Sequence, residues 1–279
     1  MKLPHPPGMT LSPHALPQAW QGGFEAADGA RYRLLVSVPD GPAPAQGFPT
    51  LLLVDGDALF ATAASAARLQ ALRPDATGVG PAVVIGIGYP SEKPFDAERR
   101  QRDLLPVADG ADRFLEMIAG ELLPAIGRIA PLDPARRTLI GHSYGGLFAL
   151  HALFTRPGLF ATYVAGSPSI WWQERAILKQ EAAFRRDGAA DAGRLLIAVG
   201  THEQRPGRAV GPQRAERIAK ARMRDNAAEM AERLAASQRV ACSFAEFPGE
   251  NHVSVILPML ARAIAFALAG TAEDRIAAA

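Results

Sequence analysis

The chain has 279 residues, 48% apolar and 21% charged, with a mean hydropathy near zero. Those values exclude a wholly disordered or fibrous polymer. They suit one large α/β domain that can bury about three quarters of its unfolded surface. The 30 Lys+Arg against 28 Asp+Glu leave a formal charge of +2, far from the basic excess of a nucleic-acid binder. The single cysteine, Cys242, excludes an internal disulfide framework and a cysteine-rich metal site.

Residues 1–20 carry five prolines and no period, and predict an extended arm ahead of a folded domain over 21–279. The N-terminus has no apolar run of the signal-peptide kind. No stretch reaches the ~20 apolar residues of a membrane span, so the expectation is a soluble, cytoplasmic protein. From residue 31 onward, short apolar runs predict strands at Arg33–Val38, Thr50–Val54, Ala82–Ile87, Arg137–Ile140, Tyr163–Ala165, Leu195–Val199 and Val240–Phe247. Helical spacing lies between and after them, at Ala58–Leu72, Ala111–Ile129, Gly145–Phe154, Gln173–Arg186, Pro212–Ser237 and Val253–Ala269. This alternation predicts a mostly parallel sheet flanked by helices in a single domain. Strands such as Leu51-Leu52-Leu53-Val54 do not alternate with polar residues, which fits cover on both faces. The charged segment 211–237 is a possible cap helix.

Gly141-His142-Ser143-Tyr144-Gly145 matches G-x-S-x-G between an apolar strand and an amphipathic helix. That setting makes a nucleophile elbow: the turn has no room for side chains at the glycines, and it lifts the Ser143 hydroxyl above the sheet edge. Such an elbow implies an α/β-hydrolase fold, in which the acid and then the histidine follow the serine. Among six histidines, His252 follows the last strand and is the expected base. Glu203, after the strand Leu195–Val199, is the expected acid. Glu250 is a rival, and a Ser–His dyad without an acid also remains open. Oxyanion donors are expected from the backbone of Tyr144 and from Asp57 or Ala58 after the Thr50–Val54 strand. The same residues also suit an Asp-Gly turn ahead of a helix cap.

These residues resemble the esterase D-like α/β-hydrolases, and within them the enterobactin (trilactone siderophore) esterases. The resemblance covers roughly residues 20–270. It rests on Val54–Phe60, Ile85–Pro90, Pro94–Asp96 with Arg99–Pro106, Gly141–Gly146, Ser167–Trp172, Val199–Gln204 and Gly249–His252. It implies ester hydrolysis through an acyl-serine intermediate without a cofactor or metal. Ser143 would attack and His252 would shuttle the proton. One departure is Leu104-Leu105 before Pro106, where the family usually has Tyr-Thr; it puts the substrate's identity in doubt. Trp171 and Trp172 suit an aromatic wall for a catecholate or acyl group as well as they suit core caps. Tyr89 and Arg102 are further candidate substrate contacts. Arg99, Arg100, Arg102, Arg205, Arg208 and Arg214 are placed to rim the site, where they would steer an anionic ferric siderophore; ordinary solvated arginines are the plainer alternative. Three functions remain open: a siderophore esterase, a general carboxylesterase or thioesterase of the S-formylglutathione hydrolase kind, and a catalytically silent binding protein. The expected partner is a small ester, with no nucleic acid; the sequence does not set the oligomeric state.

Overall fold

The structure, a computed structural model, describes residues 12, 14–187, 191–205 and 211–269. In chain order the first elements are β1 (Ala19–Glu25), β2 (Arg31–Ser37), β3 (Phe48–Val54), α1 (Gly56–Ala71), α2 (Pro74–Thr77) and β4 (Val83–Gly88). Next come α3 (Ala97–Leu104), α4 (Gly110–Met117), a π turn over Ile118–Leu122, α5 (Leu123–Gly127), β5 (Leu132–His142) and α6 (Tyr144–Thr155). The remainder is β6 (Thr162–Gly166), α7 (Trp172–Arg175), α8 (Ile177–Asp187), β7 (Arg194–Gly200), a 3₁₀ turn over Thr201–Glu203, α9 (Pro212–Ala221), α10 (Met223–Ser237), β8 (Ala241–Phe247) and α11 (Ile256–Leu268).

Among the described residues the strands form one sheet in the order β1-β2-β4-β3-β5-β6-β7-β8. β2 runs antiparallel to β1 and β4, and every other pairing is parallel. Side chains alternate between the faces of each strand. Leu52 and Val54 of β3 enter one core with α4, α6, α8 and α10, while Leu51 and Leu53 enter a second core beneath α1 and α11. Both cores are apolar, so the central strands read as unbroken hydrophobic runs. The carboxyl ends of the parallel strands all open on one edge, where an open α/β sheet presents its binding crevice.

The fold departs from the sequence reading in four places. Of the predicted arm, residues 1–11 and 13 lie outside the described residues, and Ala19 and Trp20 belong to β1, paired with Ser37 and Val36. α3 falls where no helix was expected. The predicted helix over Gln173–Arg186 is interrupted by left-handed backbone at Gln173, Glu174 and Arg175. The predicted helix over Pro212–Ser237 is broken at Arg222 (φ 48°) into two. α10 buries Met223, Ala227, Met230 and Leu234 and covers the sheet, while α9 carries no buried residue. No helix of the described residues is long and apolar enough to cross a membrane.

Candidate active site

Ser143 follows β5 and caps α6 with φ 61° and ψ −113°, a conformation an L-residue holds only when its surroundings enforce it. The surroundings do so by excluding volume. A Cβ on Gly141 would stand 2.1 Å from the Gly145 carbonyl oxygen, and one on Gly146 would stand 2.5 Å from that of Gly166. A Cβ on Gly145 would meet Val54 at 2.7 Å. The elbow is also pinned from β6, because Ser143 N–H donates to the Gly166 carbonyl at 2.9 Å.

Three side chains then line up from three strand ends. Ser143 Oγ lies 3.1 Å from His252 Nε2, and His252 Nδ1 lies 2.6 Å from Glu203 Oε2. In this geometry Nδ1–H donates to the carboxylate and Nε2 faces the serine hydroxyl. Glu203 is 3% exposed, yet its charge is fully engaged. Its other oxygen accepts from Ser167 Oγ at 2.6 Å and from Gly200 N–H at 2.7 Å. The loops that carry Glu203 and His252 are tied together: His202 N–H donates to the Glu250 carbonyl and Gly249 N–H to Thr201 Oγ1, both at 2.9 Å. Glu250 thus contributes backbone, and Glu203 is the carboxylate on the imidazole. Beneath His252 lies the buried ring of His142, with centroids 4.6 Å apart. Burial holds His142 well below the usual imidazole range; His252 and Arg100 push the same way, and the His252 backbone pulls weakly against them.

Across the elbow, Asp55 follows β3 in left-handed backbone (φ 56°) and is 3% exposed. Arg100 from α3 grips it bidentately, Nε to Oδ1 at 2.8 Å and Nη2 to Oδ2 at 3.0 Å. Burial pushes the Asp55 carboxyl up to about 6, against the downward pull of Arg100. Asp57 accepts from Arg33 Nη1 at 2.8 Å and from Tyr89 N–H at 2.9 Å.

Other expected site residues are placed differently. Ala58 is not an available amide donor, because its N–H already donates to the Asp55 carbonyl at 3.0 Å. Asp57 stands in the first turn of α1 and Tyr144 in that of α6. Tyr89 is buried against Tyr32 and faces the core; its hydroxyl is pushed up by burial, with Asp103 adding to the effect. Arg102 turns away toward Asp103 (2.6 Å) and the Tyr32 hydroxyl. Trp171 is 40% exposed and Trp172 packs on the core. Both follow Ser169, whose hydroxyl lies 3.3 Å from Ser143 Oγ. Of the expected arginine rim, Arg100 is an internal ion-pair partner and Arg208 lies outside the described residues. Cys242 is partly buried on β8 with its thiol pushed up to about 12 by burial, far from thiolate chemistry. Asp55, Ser167, Ser169 and the inward role of Arg100 were missed. A Ser-Pro-Ser run directly after a strand end was the signal available for the two serines.

The family model described as "Putative esterase" matches residues 26–253. Ferri-bacillibactin esterase BesA of Bacillus subtilis is 38% identical over 85% of this chain and 84% of its own. The siderophore triacetylfusarinine C esterase of Aspergillus fumigatus is 37% identical over 91% of this chain and 94% of its own. Among solved structures, siderophore hydrolase EstB from Aspergillus nidulans superposes with a TM-score of 0.83 at 34% identity, covering 93% of this chain and 98% of that one.

Proposed function

The chain belongs to the esterase family, and on that premise we propose that it hydrolyses the ester bonds of a siderophore through an acyl-serine intermediate. The single observation that carries the reading is the continuous line from Ser143 Oγ through the His252 imidazole to the buried Glu203 carboxylate. In acylation, Ser143 Oγ attacks the ester carbonyl carbon while Nε2 takes its proton. Glu203 holds Nδ1–H and stabilises the imidazolium that forms. The tetrahedral oxyanion is received by the Tyr144 and Asp57 N–H groups, which as first-turn groups of α6 and α1 have no intrahelical partner. Collapse breaks the C–O bond, and His252 returns its proton to the departing alcohol. A water molecule, deprotonated by His252, then releases the acid and restores Ser143.

The substrate class rests on the named relatives, which span most of both chains. Iron enters as part of the substrate, and no step of the reaction passes through it. Steady-state hydrolysis of a ferric trilactone should be compared with that of p-nitrophenyl butyrate on the same preparation. The reading expects kcat/KM to favour the trilactone. Turnover of the simple ester alone would replace it with a general carboxylesterase.

A further inference from the structure

Gly56 opens α1 between two carboxylates, and each is held by an arginine from a different element. Asp55 is bound by Arg100 of α3, and Asp57 by Arg33 of β2 with help from Tyr89 N–H. The corner between them is tightly confined. A Cβ on Gly56 would stand 2.6 Å from the Gly86 carbonyl carbon, and one on Gly88 would overlap the Asp57 carboxylate at 2.1 Å. Arg100 does more than neutralise Asp55. Its Nη2 also reaches the His142 carbonyl at 3.4 Å, one residue before Ser143. Its guanidinium lies 5.0 Å from the Phe95 ring centroid and 5.3 Å from that of Tyr144. One planar fork therefore touches the β3–α1 corner, the last strand residue before the elbow, and the ring of the residue after it.

A buried ion pair is a poor source of net stability, since desolvation consumes most of the attraction. It is an effective way to fix distance and angle, and the arginine fork does this best because it binds a carboxylate in one plane. We infer that Arg100 and Arg33 are positioning residues that clamp the β3–α1 corner against the elbow and so set the Asp57 N–H beside the Tyr144 N–H. The inference rests on the acyl-serine reading above. Neither arginine touches substrate in this account. Each acts through a carboxylate on the backbone that carries the donor.

The test uses the full chain with p-nitrophenyl butyrate as substrate and butylboronic acid as a probe that becomes tetrahedral on a serine oxygen. Arg100→Lys keeps the charge but loses the fork. It should lower kcat by about ten- to a hundredfold, short of or equal to the loss of a whole oxyanion donor, with KM changed by less than about threefold. The inhibition constant of the boronate should rise along with the fall in kcat. A merely structural role would move the melting temperature and leave both kcat and boronate affinity of the folded protein unchanged. Folded Arg100→Lys with wild-type kcat and boronate affinity overturns the inference, as does a rise in KM with kcat unchanged. Should Arg100→Lys not fold, Arg33→Lys at the more exposed arm decides by the same two readouts, with a smaller loss expected and an unchanged kcat contradicting the clamp. Ser143→Ala separates the two layers: retained turnover sinks the acyl-serine reading and the clamp together. An inactive Ser143→Ala beside unaffected arginine variants sinks the clamp alone.

Discussion

On the β7–β8 side of Ser143, the polar groups meet through short hydrogen bonds between loop residues: Glu203 to His252, Ser167 and Gly200. On the β3–α3 side they meet through arginine–carboxylate ion pairs: Asp55 with Arg100 and Asp57 with Arg33. The difference follows from what each side has to do. A proton relay needs groups that change partners during turnover, and hydrogen bonds permit that. Amide donors must already be in place when charge develops, and rigid ion pairs with close-packed glycines provide that. On the proposed function, the same serine would be served by one adaptable side and one fixed side.

The relay side offers the sharpest way to break this comparison. Glu203→Gln keeps the shape but presents the wrong partner to Nδ1–H, and kcat should fall by about 10³–10⁴. That exceeds the loss expected for either arginine on the fixed side. A smaller loss than that of Arg100→Lys would reverse the order of importance. Ser167→Ala removes one of the three donors on Glu203 and leaves Gly200 N–H and the imidazole. The expected cost is about tenfold in kcat, the size of one charge-assisted hydrogen bond. Melting temperature and kcat measured on the same sample would check it.

The smallest effect concerns pH and sits between the two sides. His142 is held well below its unfolded value, so the unfolded state binds the extra proton, and stability is lost as pH falls below about 6.5. Asp55 works in the opposite sense. Its folded value of about 6 lies above the model-peptide value of 3.8, so between those limits the folded state binds the extra proton and stability rises as pH falls. The two partly cancel in the wild type. His142→Asn removes one of them, so on acidification from pH 6.5 to 5 the variant should gain on the wild type by up to about 1.4 kcal/mol per pH unit. Urea midpoints at pH 7, 6 and 5 would show this, and parallel curves would refute it.

The relay side was also the more legible in sequence. Ser143, Glu203 and His252 each follow an apolar run, and the order of serine, acid and histidine matches the one the elbow's fold uses. The fixed side was read less well because its contacts are set by side-chain direction beyond a strand end, which periodicity does not report. Tyr89 leaves β4 with its ring turned inward onto Tyr32, and Arg102 turns to Asp103 while Arg100, two residues earlier, enters the site. α3 escaped notice because only Arg100, Asp103 and Leu104 of its eight residues are buried, too few for an apolar stripe. β1 escaped because an edge strand with Gly22-Gly23 and little burial carries no hydrophobic alternation. The break at Arg222 has no glycine or proline to announce it.

The acyl-serine reading places the acyl group on Ser143. Intact-mass and peptide mapping after treatment with diisopropyl fluorophosphate tests it directly. The expected result is one adduct per chain, on the peptide containing Ser143, formed at a rate that drops sharply in Glu203→Gln and absent in Ser143→Ala. An unmodified folded protein, or an adduct on any other residue, would contradict it.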